Sequence, residues 1–218
     1  MMNKYWLQSI VGGVVIGTGA AIAAPAEALT LSGFATFGSQ MSGMEVTVNY
    51  VGGGSQTAIW QATSPLAGGA FGTGWSLSLA EDSFSTPWQF LTQTGSTQAI
   101  ASLMINAVPG NTVFDTIFGV EGTPGSANGS PFTVVSGNAP TSFAYSTAIV
   151  GAEDDLRGVL TLNWSAGFSG ELLFETDTDN GTNIEPVQAA VPEPTTIAGL
   201  GLAAAGLLRW RRRARYPQ

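Results

Sequence analysis

The chain of 218 residues has no cysteine, no histidine and a single lysine, Lys4. Without the first two there is no Ser-His-Asp or Cys-His nucleophile pair, no zinc site of the usual ligand set and no disulfide framework. Lys4 stands in a segment with the marks of an export signal, which removes Schiff-base and Ser-Lys chemistry from the processed chain. Positive charge is nearly absent from the middle of the sequence. From Leu29 to Ala190 the only basic residue is Arg157, against thirteen acidic residues, a charge of −12. Binding to nucleic acid or anionic lipid relies on Lys and Arg neutralising phosphates, so both are poor partners for such a surface. A cation or a neutral glycan suits it better.

What is present at the two ends reads as addresses. Residues 1–28 combine Lys4, an apolar stretch from Ile10 to Ala24 and small residues in A-x-A spacing at Ala21/Ala23 and Ala26/Ala28. This predicts a secretory signal helix, cleaved after Ala28 or alternatively after Ala23 or Ala26. Gly12, Gly13, Gly17 and Gly19 interrupt the stretch and argue against a retained anchor.

Residues 191–218 hold three parts in order: Pro192-Glu193-Pro194, an uncharged stretch from Thr195 to Leu208, and a basic end with Arg209, Arg211, Arg212, Arg213 and Arg215. As a helix the middle part is about 21 Å long at ~1.5 Å per residue, short against the ~30 Å hydrocarbon core of a bilayer. With the arginines snorkelling and Trp210 at the interface, it suits a transient span with the basic end left cytoplasmic as a stop-transfer signal.

This tripartite end resembles the PEP-CTERM sorting signal of exported proteins in Gram-negative bacteria, cyanobacteria included. The resemblance implies recognition and cleavage of the tail by exosortase, a membrane enzyme, and an association of the processed protein with exopolysaccharide, biofilm or floc material. It implies nothing about the body. Runs such as Met44-Glu45-Val46-Thr47-Val48 and Trp75-Ser76-Leu77-Ser78-Leu79 resemble the bodies of uncharacterised cyanobacterial PEP-CTERM proteins, from which no activity transfers.

The body, residues 29–180, is read as an all-β, antiparallel β-sandwich of jelly-roll-like type, joined by a linker at 181–190 to the tail. Apolar positions 44, 46, 48 and 50 alternate with polar ones, as do those of 75–79, 103–107, 160–164 and 171–175. Shorter candidates are 57–62, 88–92, 112–118, 132–135 and 143–149, giving roughly ten strands. Turn formers such as Pro109-Gly110-Asn111 and Asn128-Gly129-Ser130-Pro131 separate them. No stretch of the body pairs helical spacing with caps, and there is no fixed-period repeat.

Candidate chemistry is scarce. Acids cluster at Glu81-Asp82, Glu153-Asp154-Asp155 and Asp177-Thr178-Asp179-Asn180-Gly181. The last is similar to the start of a calcium loop, in which alternate carboxylates converge on a hard cation and a glycine permits the turn. It makes Asp177, Asp179 and Asn180 candidate calcium ligands, with 153–155 as a second loop and solvated turns as the simpler reading. Arg157 is read as pairing with Asp154 or Asp155. Trp60, Trp75, Trp88 and Trp164 are read as core, with Trp88, just after Pro87, the candidate for sugar stacking. Paired carboxylates are all that glycoside hydrolysis requires, yet the acids stand among polar neighbours that would not raise one pKa for acid catalysis.

The expectation is therefore a non-catalytic exported protein of the cell envelope, cell surface or extracellular matrix, structural or adhesive in exopolysaccharide. A carbohydrate-binding module and a secreted glycoside hydrolase are the alternatives.

Overall fold

The computed structural model describes residues 29–187 apart from 33–35, 94, 97, 118–121 and 127. The expected signal helix, sorting motif and apolar tail helix lie outside the described residues, as do 188–190. Among the described residues, no helix is long and apolar enough to cross a membrane.

Among the described residues, fourteen strands fall into two antiparallel sheets. The first contains β1 (Thr30–Ser32), β14 (Asp177–Thr182), β9 (Thr112–Asp115), β12 (Leu156–Phe168), β8 (Ile100–Asn106), β2 (Glu45–Tyr50) and β3 (Ser55–Ile59) in that order, with β11 (Ser142–Ala148) also on β12. The second runs β10 (Thr133–Gly137), β13 (Glu171–Glu175), β7 (Trp88–Thr92), β6 (Trp75–Leu79), β5 (Gly68–Gly72) and β4 (Gln61–Ala62). The two pack face to face as a β-sandwich.

Alternation in the sequence becomes alternation in burial. In β6, Trp75, Leu77 and Leu79 are buried and the two serines between them are not. Val46 and Val48 from β2, Leu103 and Ile105 from β8, and Leu160, Leu162 and Trp164 from β12 meet Phe90, Leu172 and Phe174 of the second sheet. Burying one such side chain contributes about 1.5–3 kcal/mol, so this single shared core binds the sheets together. A smaller apolar cluster joins Leu31, Val113, Ile149, Leu156 and Ile184.

Three strands had no sequence signal. β5 is Gly-Gly-Ala-Phe-Gly, a poor strand former by propensity. It is glycine-rich because a tryptophan packs on it: a Cβ at Gly68 would lie 2.1 Å from the Gly38 carbonyl oxygen and 2.3 Å from Trp60 Nε1, which itself donates to that carbonyl at 2.7 Å. β1 is short, and β14 carries the acidic run expected at a turn. The domain also runs further than expected. Residues 181–187, read as the start of a linker, belong to the body: Ile184 is buried, Val150 N donates to the Glu185 carbonyl at 2.9 Å, and Val187 N donates to that of Ala148 at 2.7 Å.

Candidate functional site: a buried aspartate cluster and two open grooves

β14 runs antiparallel between β1 and β9, with Asp177 directly across from Asp115. Asp179 is two residues further on, so the pleat puts the carboxylates of Asp115, Asp177 and Asp179 on one face. All three are buried, at 2%, 5% and 2% exposure, and so is Asp155, which precedes β12.

Each carboxylate is met by a hydroxyl from a distant loop. Ser83, between β6 and β7, donates to Asp177 Oδ1 at 2.9 Å. Ser126, between β9 and β10, has its Oγ 2.6 Å from Asp115 Oδ2 and 2.5 Å from Asp179 Oδ2. Thr123 gives Asp155 both its amide and its hydroxyl, each at 2.7 Å. The aspartates thereby anchor the β9–β10 connection onto the first sheet.

Burial dominates their ionisation. It pushes the Asp177 carboxyl up to about 7, with Asp179 and Asp115 adding to the rise and the Ser83 hydroxyl opposing it. Burial also pushes Asp179 up to about 6, helped by Asp115 and Asp155 and opposed by Ser126, and it raises Asp115. Tyr145, whose hydroxyl lies 2.6 Å from Thr176 Oγ1, is pushed up to about 12, again by burial first.

The expected calcium loop takes a different form. Asp177-Thr178-Asp179-Asn180 is strand, not turn, because it pairs along its whole length with β9, and β1 continues the ladder on the other side from Asn180 to Thr182. Asn180 does not join the aspartates: its Oδ1 accepts from Thr112 Oγ1 at 2.9 Å, while Asp177 and Asp179 are held by Ser83 and Ser126. Among the described residues, no group of three or more His, Cys, Asp or Glu is arranged to hold a metal ion. The second acidic run divides: Asp155 is buried, Asp154 is exposed and takes Arg157 as an ion pair, and Glu153 is exposed. Asp82 closes a turn, accepting the amides of Phe84 and Ser85.

Trp88 must be corrected as a stacking residue. It has 0% exposure, its ring lies 5.2 Å from Trp60 and 6.0 Å from Phe174, and its Nε1 donates to the Thr176 carbonyl at 3.0 Å. Both faces are covered by protein, so no sugar reaches them. Nothing in the sequence distinguishes Ser83, Thr123 and Ser126 from other hydroxyls.

Among the described residues, the grooves open to solvent include two larger than about 300 Å³. One, of about 350 Å³, is bordered by Tyr50, Thr73, Gly74, Gln93, Ser96 and Gln98. The other, of about 490 Å³, runs along the β10 and β11 edges past Phe132, Val134, Pro140 and Phe143, the last 48% exposed. Neither has an Asp or Glu among the described residues of its lining.

Fold and site together define an acidic β-sandwich whose perturbed carboxylates are closed off from solvent. The address is in the tail, where a PEP-CTERM protein-sorting motif matches residues 190–213, taking in Pro192, Glu193, Pro194 and the arginines up to Arg213. This motif marks an exported protein processed by exosortase, a membrane enzyme. No curated protein and no solved structure matches the chain.

Proposed function

We propose that the protein is a non-catalytic component of the cell surface or extracellular matrix, with a structural or adhesive role in exopolysaccharide. One observation carries the non-catalytic part: the carboxylates with ionisation suited to acid-base work are sealed beneath the β9–β10 connection. A general acid must come within hydrogen-bond reach of its substrate, and among the described residues these carboxylates are hydrogen-bonded by serine hydroxyls and backbone amides. The sorting motif supports delivery outward, and the body's −12 charge favours a well-solvated domain over one that adsorbs to anionic lipid.

Fractionation of the producing cells tests the placement. The expected result is a protein in the surface or matrix fraction whose intact mass lacks both terminal segments. Full-length protein in the cytosol would overturn it. Reducing-sugar release from the matrix polysaccharide by the purified protein, abolished in Asp177→Asn or Asp179→Asn, would overturn the non-catalytic assignment.

A further inference from the structure

We infer that the groove formed by Tyr50, Thr73, Gln93, Ser96 and Gln98 binds a neutral glycan unit; the inference deepens the exopolysaccharide role proposed above and rests on it. The groove is built where both sheets end. Tyr50 closes β2 of the first sheet, Thr73 and Gly74 form the β5–β6 turn of the second, and Gln93, Ser96 and Gln98 belong to the β7–β8 connection between them. A ligand here touches three chain segments at once.

The walls are fixed before anything binds. Gln56 Oε1 accepts from Trp75 Nε1 at 2.8 Å, from the Thr73 amide at 3.0 Å and from the Tyr50 hydroxyl at 3.2 Å, while its Nε2 donates to Thr73 Oγ1 at 3.3 Å. One buried tryptophan thus anchors, through one glutamine, both the aromatic and the hydroxyl side of the groove. Gln93 N donates to the Gly74 carbonyl at 2.9 Å and Ser96 N to that of Gln93 at 3.1 Å, which ties the third segment to the second. A wall held in this way loses little freedom on binding.

The lining selects the ligand class. Among the described residues, no acid and no arginine borders this groove. A cation finds no carboxylate there, and an anionic polymer finds no positive charge within a strongly negative domain. Among the described residues, the side chains that line it are two glutamine amides, two hydroxyls and a tyrosine ring. Amides and hydroxyls both donate and accept, matching the paired donor and acceptor character of sugar hydroxyls, and the tyrosine ring offers apolar surface for the C–H face of a pyranose. A peptide would need an apolar hole for a side chain or a charge for a terminus, and this groove has neither. Its volume is at the low end of the ~300–1,000 Å³ typical of ligand sites, enough for a short stretch of a glycan chain.

The test uses the processed protein recovered from its cells, titrated calorimetrically with maltohexaose, cellohexaose and dextran, and with alginate as the anionic control. The expected result is saturable binding of at least one neutral probe, weakened about tenfold or more in the double variant Gln93→Ala/Gln98→Ala, since each lost hydrogen bond contributes several-fold in affinity. Both side chains are exposed, so the variant should melt with the wild type. If its melting shifts, Ser96→Trp, which fills the groove from the other side, replaces it. Absence of binding to all three neutral probes at millimolar concentration overturns the inference, as does binding that survives both variants or that is confined to alginate. Surface placement without neutral-glycan binding removes this inference and leaves the proposed function standing, whereas glycan binding by a protein retained in the cytosol does the reverse.

Discussion

Asp115 and Asp179 converge on the same hydroxyl, with Ser126 Oγ 2.6 Å from one carboxylate and 2.5 Å from the other. A serine hydroxyl has one proton to give. It can satisfy one carboxylate as donor, and the second completes the arrangement only by carrying a proton of its own and donating it to the serine oxygen. Asp177, directly across the ladder from Asp115, adds a third acid to the same face. With all three ionised, like charges would stand side by side in a poorly solvated site, which is unfavourable across a sheet. The fold therefore favours protons in this cluster.

Stability should depend on pH in the direction opposite to that of a salt-bridged carboxylate. The folded-state values of Asp177 and Asp179, about 7 and about 6, exceed the ordinary 3.8, so between those limits the native state binds more protons than the unfolded chain. Stability then falls as pH rises, by up to ~1.4 kcal/mol per pH unit for each group. It is fully present below about pH 4 and lost as pH passes 6 to 7. Urea midpoints measured from pH 4 to 8 should decline across this window. In Asp179→Asn, whose amide oxygen still accepts from Ser126 without a charge, the decline should be shallower and the midpoint at pH 8 higher than in the wild type. A midpoint that rises between pH 4 and 7 would contradict the protonated cluster.

Two glycines of the same connection leave the space that the carboxylates occupy. A Cβ at Gly129 would lie 2.0 Å from Asp115 Cγ, and one at Gly122 would lie 1.9 Å from Asp155 Oδ2. Gly129→Ala and Gly122→Ala should each lower stability by about 1–3 kcal/mol, the usual cost of overfilling a packed site. Gly170, where a Cβ would meet nothing within 4 Å, carries a positive φ of 94° and serves as a contrast, since alanine there costs through backbone strain alone. Denaturation curves of the three variants separate crowding from strain: in Gly129→Ala, which crowds Asp115, the pH dependence should change with the midpoint, and in Gly170→Ala only the midpoint should move.

The strands with alternating side chains were legible because period-2 burial is a local property. β6 at Trp75–Leu79 and β13 at Glu171–Glu175 match the sequence expectation at both ends. β14 was not legible, because Asp, Asn and Gly disfavour strands in isolation and this segment is a strand only by virtue of β1 and β9 on either side. The aspartate cluster draws on residues 83, 115, 123, 126, 155, 177 and 179, spaced by topology with no local pattern. Ionisation was illegible for the same reason: the carboxylates have polar neighbours in sequence, whereas the fold buries them.

Arg157, the body's one basic residue, should contribute little to stability despite its conspicuousness. Its partner Asp154 has a side chain 91% exposed, and an ion pair in such a position is worth about 0–1 kcal/mol. Arg157→Gln should shift the urea midpoint by no more than this. A loss of several kcal/mol would mean that the arginine also neutralises the neighbouring buried acids.

Trp88 gives the sharpest separation between core and ligand roles. Its indole is packed between Trp60 and Phe174, and its N–H satisfies the Thr176 carbonyl beside the hydroxyl of Tyr145. Trp88→Phe keeps most of the ring contact and removes that hydrogen bond, leaving a buried carbonyl short of a donor, a loss of about 1–3 kcal/mol. Trp88→Ala removes the ring as well and should cost about 3–5 kcal/mol. If Trp88 touched glycan, the Phe variant would weaken binding at temperatures where it remains folded. Because the indole is enclosed by protein on both faces, the Phe variant should instead melt earlier and bind neutral glycan with the wild-type affinity, while Gln93→Ala/Gln98→Ala should do the opposite. A Trp88→Phe protein that is folded, as stable as the wild type and deficient in glycan binding would place the indole at the surface and contradict the packing of this core.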